Sequence, residues 1–83
     1  IAPQIYATLK NSVEKSHTTS IDEVKKYVID TLVSLKVFEP EYFEIVNDTT
    51  LQPIKNWSEA QGVVGCIAVW LDGVRLIDVI RFK

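Results

Sequence analysis

Ile5, Leu9 and Val13 recur every four residues, and Ile1, Ala2 and Tyr6 extend the same stripe. This spacing is the apolar face of an amphipathic helix and predicts one from about Ala2 to Ser16. Pro3 suits only the first turn, where its missing N–H would have no helical partner. The polar run SHTTS, Ser16 to Ser20, predicts a connector. Ser20 and Glu23 have capping-box spacing, in which the Ser side chain accepts from the third helical N–H and the Glu reaches back. Ile21, Val24, Val28, Leu32 and Leu35, widened by Ile29 and Val33, predict a second helix ending at about Leu35. The short connector makes the two helices near-antiparallel neighbours.

After Pro40 the apolar period falls from 3.6 to 2. In Glu41 to Val46, Phe43 and Ile45 alternate with Tyr42 and Glu44, which predicts a strand. NDTT, Asn47 to Thr50, is turn chemistry. Leu51 to Glu59 is irregular, and Pro53 argues against a central strand there. Val63 to Leu71 predicts the second strand and Val74 to Phe82 the third. Asp72-Gly73 between them suits a two-residue type I′ turn. The order helix, helix, strand, strand, strand implies an α+β two-layer sandwich, with both helices on one face of a three-stranded antiparallel sheet.

The two-residue turn also sets a register. Leu71 should oppose Val74, Trp70 Arg75, Val69 Leu76, Ile67 Asp78, and Gly65 Ile80. One face then carries Val63, Ile67, Val69, Leu71, Leu76, Ile80 and Phe82, with Asp78 among them. The other carries Cys66, Ala68, Trp70, Arg75, Ile77, Val79 and Arg81. Arg75 and Asp78 therefore point to opposite sides and cannot form a catalytic dyad. Arg75 is expected to lie against the Trp70 ring as a cation–π pair. Asp78, a carboxylate on an apolar face, needs donors; Thr49, Thr50 and the Trp57 indole are the candidates, which would make Asp78 the anchor of the Asn47 to Trp57 loop. Ala68, Ile77 and Val79 form a patch too apolar for a fully solvated surface, and such a patch fits the footprint of another domain.

Composition narrows the function. The chain has 83 residues, enough for one domain, 1–83, with a net charge of −2 and no basic run, so no nucleic-acid footprint is expected. The longest apolar stretch, Val63 to Leu71, is far too short for a membrane span. The single cysteine, Cys66, excludes an internal disulfide and fits a reducing compartment; its place on a central strand predicts a buried, inert thiol. The single histidine, His17, falls in the polar connector and is expected to be solvated. One His and one Cys make no metal set. Gly62, Gly65 and Gly73 lack phosphate-cradling spacing; they suit a bend, close packing opposite Ile80, and the hairpin turn. Trp57 and Trp70 are expected to pack, and Glu39, Glu41 and Glu44 to form a solvated acidic edge. There is no Met in the chain, which begins with Ile1, as expected of an excised piece of a longer protein.

EYFEIVNDTTLQPIKNW followed by GCIAVWLDGVRLID is similar to the carboxy-terminal domain of the pantothenate synthetase (pantoate–β-alanine ligase) family. The matching positions are Tyr42, Glu44 and Ile45 on the strand, Thr50, Leu51 and Pro53 in the loop, and Val74, Arg75, Leu76, Ile77 and Asp78 in the hairpin. APQIYATL resembles the helix that follows the family's nucleotide-binding half, so the likeness spans nearly the whole chain. The chain departs from the family at Val79, where Asn is usual. The resemblance implies a lid domain, preceded in its parent by a Rossmann-like amino-terminal domain. The parent would condense pantoate with β-alanine through a pantoyl adenylate, using ATP and Mg²⁺, as a cytoplasmic homodimer. The family's His-x-Gly-His signature and its basic loop of the Lys-Met-Ser-Lys-Ser type are absent, so no catalytic or nucleotide-binding residue carries over. Arg75, Asp78, Trp70 and Trp57 remain as structural or domain-docking candidates, and the chain alone is expected to be inactive. The competing reading is a stand-alone α+β module for protein interaction or dimerisation.

Overall fold

The computed structural model describes residues 3–83; Ile1 and Ala2, assigned above to the first helical stripe, lie outside the described residues. α1 spans Pro3–Ser16 and α2 spans Ile21–Ser34. Pro3 opens α1, as its missing donor requires. The inner face of α1 buries Ile5 and Leu9 and also Thr8 and Ser12, whose hydroxyls donate to the carbonyls of Gln4 and Leu9 and so avoid the cost of an unpaired buried donor. Ser20 caps α2 by accepting from the Glu23 N–H at 3.2 Å. Among the described residues the reciprocal bond from the Glu23 side chain is not made, so the capping box is half formed. Asp22 and Glu23 still favour this end, because the helix dipole leaves partial positive charge at the first turn. α2 stops at Lys36, whose φ of 63° is left-handed.

β1 is Phe38–Asn47, β2 is Val63–Leu71 and β3 is Val74–Arg81, in the antiparallel order β1-β2-β3. The hairpin register is the expected one throughout, and Asp72 and Gly73 have φ of 50° and 78°, the positive pair of a type I′ turn. β1 starts three residues earlier than expected and runs through Pro40. A proline without an N–H is tolerated there because β1 is an edge strand and because a bulge follows it. Pro40 opposes Val69 and Tyr42 opposes Ala68, so Glu41 is the unpaired extra residue.

Both helices cover one face of the sheet. Ile5, Leu9, Val24, Val28 and Leu32 meet Phe43, Ile45, Val63, Ile67 and Val69 in a single core. The segment after β1 also belongs to it. Pro53 bridges Val46, Ile54 is buried with its N–H on the Ile45 carbonyl, and Trp57–Glu59 form a 3₁₀ turn. Glu59 accepts from the N–H groups of Lys55 and Asn56, at 2.7 Å each, and holds that turn. The Trp57 indole donates to the Thr19 carbonyl at 2.9 Å and its ring lies 5.3 Å from Phe82. Trp57 thus ties the loop, the helix connector and the end of the sheet together.

Candidate functional site

The face of the sheet turned away from the helices is open. Its middle rows are Tyr42, Ala68 and Ile77, then Glu44, Cys66 and Val79. Ala68 floors the patch and is itself buried, while Ile77 and Val79 are 58% and 56% exposed. At the turn end stands a polar trio. Arg75 donates to Glu41 through Nε at 3.2 Å and Nη2 at 2.8 Å, and the Trp70 indole donates to the same carboxylate at 3.0 Å. At the other end Arg81 donates to Asp48 at 2.9 Å.

The trio corrects one expectation. Arg75 and Trp70 do not meet as a cation–π pair; both satisfy Glu41 instead. Glu39 and Glu41 are exposed on the edge strand, as expected of a solvated acidic edge, but Glu41 is ion-paired there, and Glu44 is met by Lys25 of α2 at 3.4 Å. Regular alternation would have placed Glu41 beside Phe43 on the helix face. The bulge turns it to the Tyr42 side, where it spans β2 to reach β3. The only sequence signal for this was Pro40 inside a longer strand.

Asp78 also differs from expectation. Among the described residues its carboxylate is hydrogen-bonded by the Val79 N–H at 2.9 Å and touches no donor of the Asn47 to Trp57 loop. That loop is held by Asn47, whose Oδ1 accepts from the N–H groups of Thr49 and Thr50, and by Trp57. The register explains the choice. Phe82 N–H bonds to Val63, so in the alternation of an antiparallel ladder Val79 N–H points away from β2, along the free edge. Asp78 occupies that edge amide. Cys66 is half-buried on the open face rather than fully buried, and His17 is exposed as expected.

The hydrogen bonds from Arg75, and then that from Trp70, hold the Glu41 carboxyl below the usual carboxylate range; Arg81 does the same for Asp48. A folded value below the unfolded one favours the folded state above the unfolded value, and that contribution disappears as pH falls through the folded value. As pH falls from neutral through the ordinary carboxylate range and below it, thermal melts of Glu41→Gln should therefore lose less stability than the parent chain. Parallel acid limbs for the two proteins would show that the trio contributes nothing.

A polar cleft of about 550 Å³ lies between Asn47, Asp48, Gly62, Arg81 and Lys83. Its Asp48 carboxylate and Arg81 guanidinium already satisfy each other, and Glu59, which also lines it, is held by the N–H groups of Lys55 and Asn56. Among the described residues no three His, Cys, Asp or Glu side chains gather as a metal set. Among the described residues the donors present do not fit a Mg²⁺ site, and where a hydroxyl does meet a carboxylate, Thr49 donating to Asp48 at 3.2 Å, that carboxylate is already held by Arg81. Among the described residues the open face presents an apolar centre with a hydrogen-bonded ion pair at each end.

A family model described as pantoate-beta-alanine ligase matches residues 1–81. The chain is 42% identical over 82 residues to the pantothenate synthetase of Bacteroides fragilis strain YCH46, covering 99% of this chain and 29% of that protein. It is 40% identical over 81 residues to the pantothenate synthetase of Azobacteroides pseudotrichonymphae, covering 98% and 29%. The crystal structure of pantothenate synthetase from Thermus thermophilus superposes with a TM-score of 0.83 at 28% identity, over 99% of this chain and 29% of that one. The chain thus spans less than a third of the length of these relatives.

Proposed function

The chain belongs to the pantoate–β-alanine ligase family, and we propose that it is the carboxy-terminal lid of a two-domain, ATP-dependent ligase whose reacting groups lie in the rest of the polypeptide. The observation that carries this reading is the match of residues 1–81 to the family together with coverage of only 29% of each relative. A part of that size with no assembled reactive groups acts by closing over chemistry done elsewhere. The parent condenses pantoate with β-alanine in the cytoplasm, as a homodimer, consuming ATP with Mg²⁺ and passing through a pantoyl adenylate. Such a mixed anhydride is lost if water reaches it before the amine does. A lid excludes that water and commits the intermediate to product. Every relative named above is a pantothenate synthetase, so the stand-alone interaction module has no comparison in its favour.

Coupling in the full-length ligase tests the reading. With the lid present, AMP and pantothenate should form one for one. With residues 1–83 deleted, AMP release should exceed pantothenate formation as the adenylate hydrolyses. Tight coupling at an undiminished rate without these residues would refute it.

A further inference from the structure

We propose that the open sheet face centred on Ala68, Ile77 and Val79 is the surface by which this chain seats on the remaining part of the same ligase polypeptide; this rests on the lid reading above. Antiparallel sheets with one solvated face normally alternate apolar-in and polar-out. Here β3 breaks that rule in its middle: Ile77 and Val79 point outward, 58% and 56% exposed, over the Ala68 floor. Charge lies at the two ends of the face, where Glu41 holds Arg75 and Asp48 holds Arg81, and at its β1 edge, where Lys25 meets Glu44. An apolar centre with a polar rim is the anatomy of a protein interface.

Three observations select the occupant. Each exposed arginine is neutralised by a carboxylate of this chain, so the face offers no unmatched positive charge to a polyanion or an anionic membrane. A second copy adding as a strand along β3 would need the Val79 N–H, and Asp78 already fills it; an inward charge on an edge strand is a recognised bar to such pairing. The relatives carry this chain as 29% of their length, which leaves a much larger body of the same polypeptide to cover the patch.

Ile77→Lys and Ile77→Val in the full-length ligase test the surface. Ile77→Lys should lower kcat/KM by about tenfold or more, as expected when an interface anchor is lost, and should raise the ratio of AMP to pantothenate, while Ile77→Val leaves both near the parent values. In the isolated chain Ile77→Lys should shift the melting temperature by no more than about 2 °C, because an exposed position carries little folding energy. Sedimentation should show the isolated chain as a monomer. Unchanged coupled turnover in full-length Ile77→Lys overturns the docking surface, as does a melting shift in the isolated chain large enough to explain the lost activity. A dimer of the isolated chain that Ile77→Lys dissolves also overturns it, in favour of a second copy. All three leave the lid reading standing, since that reading fails on other results: coupling preserved after deletion of residues 1–83, or turnover by the isolated chain.

Discussion

Trp57→Ala should leave the chain close to unfolding at 37 °C. The indole fills the corner between the 3₁₀ turn and Phe82, with ring centroids 5.3 Å apart, and its N–H satisfies the Thr19 carbonyl at 2.9 Å. Truncating a packed aromatic to alanine costs about 3 kcal/mol at the low end of the usual range, and Trp57 belongs there because its ring is partly exposed. A domain of this size has about 4–12 kcal/mol in total at ordinary per-residue stabilities. At roughly 4–8 °C per kcal/mol for so short a chain, the melting temperature should fall by about 12–24 °C. Trp57→Phe separates the two contributions. It keeps the ring contact and removes only the donor, for a cost of about 1 kcal/mol. Equal losses in both variants would mean that the hydrogen bond, rather than the ring, fastens the loop to the helices.

Gly65→Ala should destabilise by about 1–3 kcal/mol, the usual cost of forcing an extra carbon into a packed core. Gly65 lies between Ile45 and Ile80 in the sheet. A β-carbon there would sit 2.7 Å from Phe82 Cε2 and 2.9 Å from Phe43 Cε1 and Cζ. Those two rings, with centroids 6.4 Å apart, lean over the glycine. Neither can retreat without displacing Trp57 or the helix layer. The cause is close packing and not backbone freedom, so Phe43→Leu should partly rescue the Gly65→Ala chain in chemical denaturation. An unaltered denaturation midpoint for Gly65→Ala would show that the rings move aside freely.

Most of the fold was legible in the sequence because it rests on short-range rules. Four-residue spacing marked both helices, Asp72-Gly73 fixed the hairpin, and the register then assigned faces to most residues of β2 and β3. The site was legible only in part, for a physical reason. The apolar patch of Ala68, Ile77 and Val79 followed from alternation, but the contacts at its rim depend on Glu41. One extra residue in β1 rotates Glu41 to the opposite face, and a period-2 pattern has no means of registering such a bulge. Asp78 went astray differently. Its place on an apolar face pointed to a partner across the core, whereas β3 is an edge strand and offers an unpaired amide one residue away. Trp57 was read as a packing residue, and it is one; that its N–H reaches the α1–α2 connector is a contact between segments 38 residues apart, beyond any local signal. Gly62 was read as a bend, and the chain does bend there; its lack of a side chain also makes room for the Asp48 carboxylate that pairs with Arg81.

The most direct measurement is made on these 83 residues alone. Supplied with ATP, Mg²⁺, pantoate and β-alanine, the purified chain should form no pantothenate and release no AMP above background, and titration calorimetry should register no saturable heat for ATP or pantoate. Saturable binding of both, followed by pantothenate formation, would mean that the chain holds a working site of its own, and the lid assignment would be wrong.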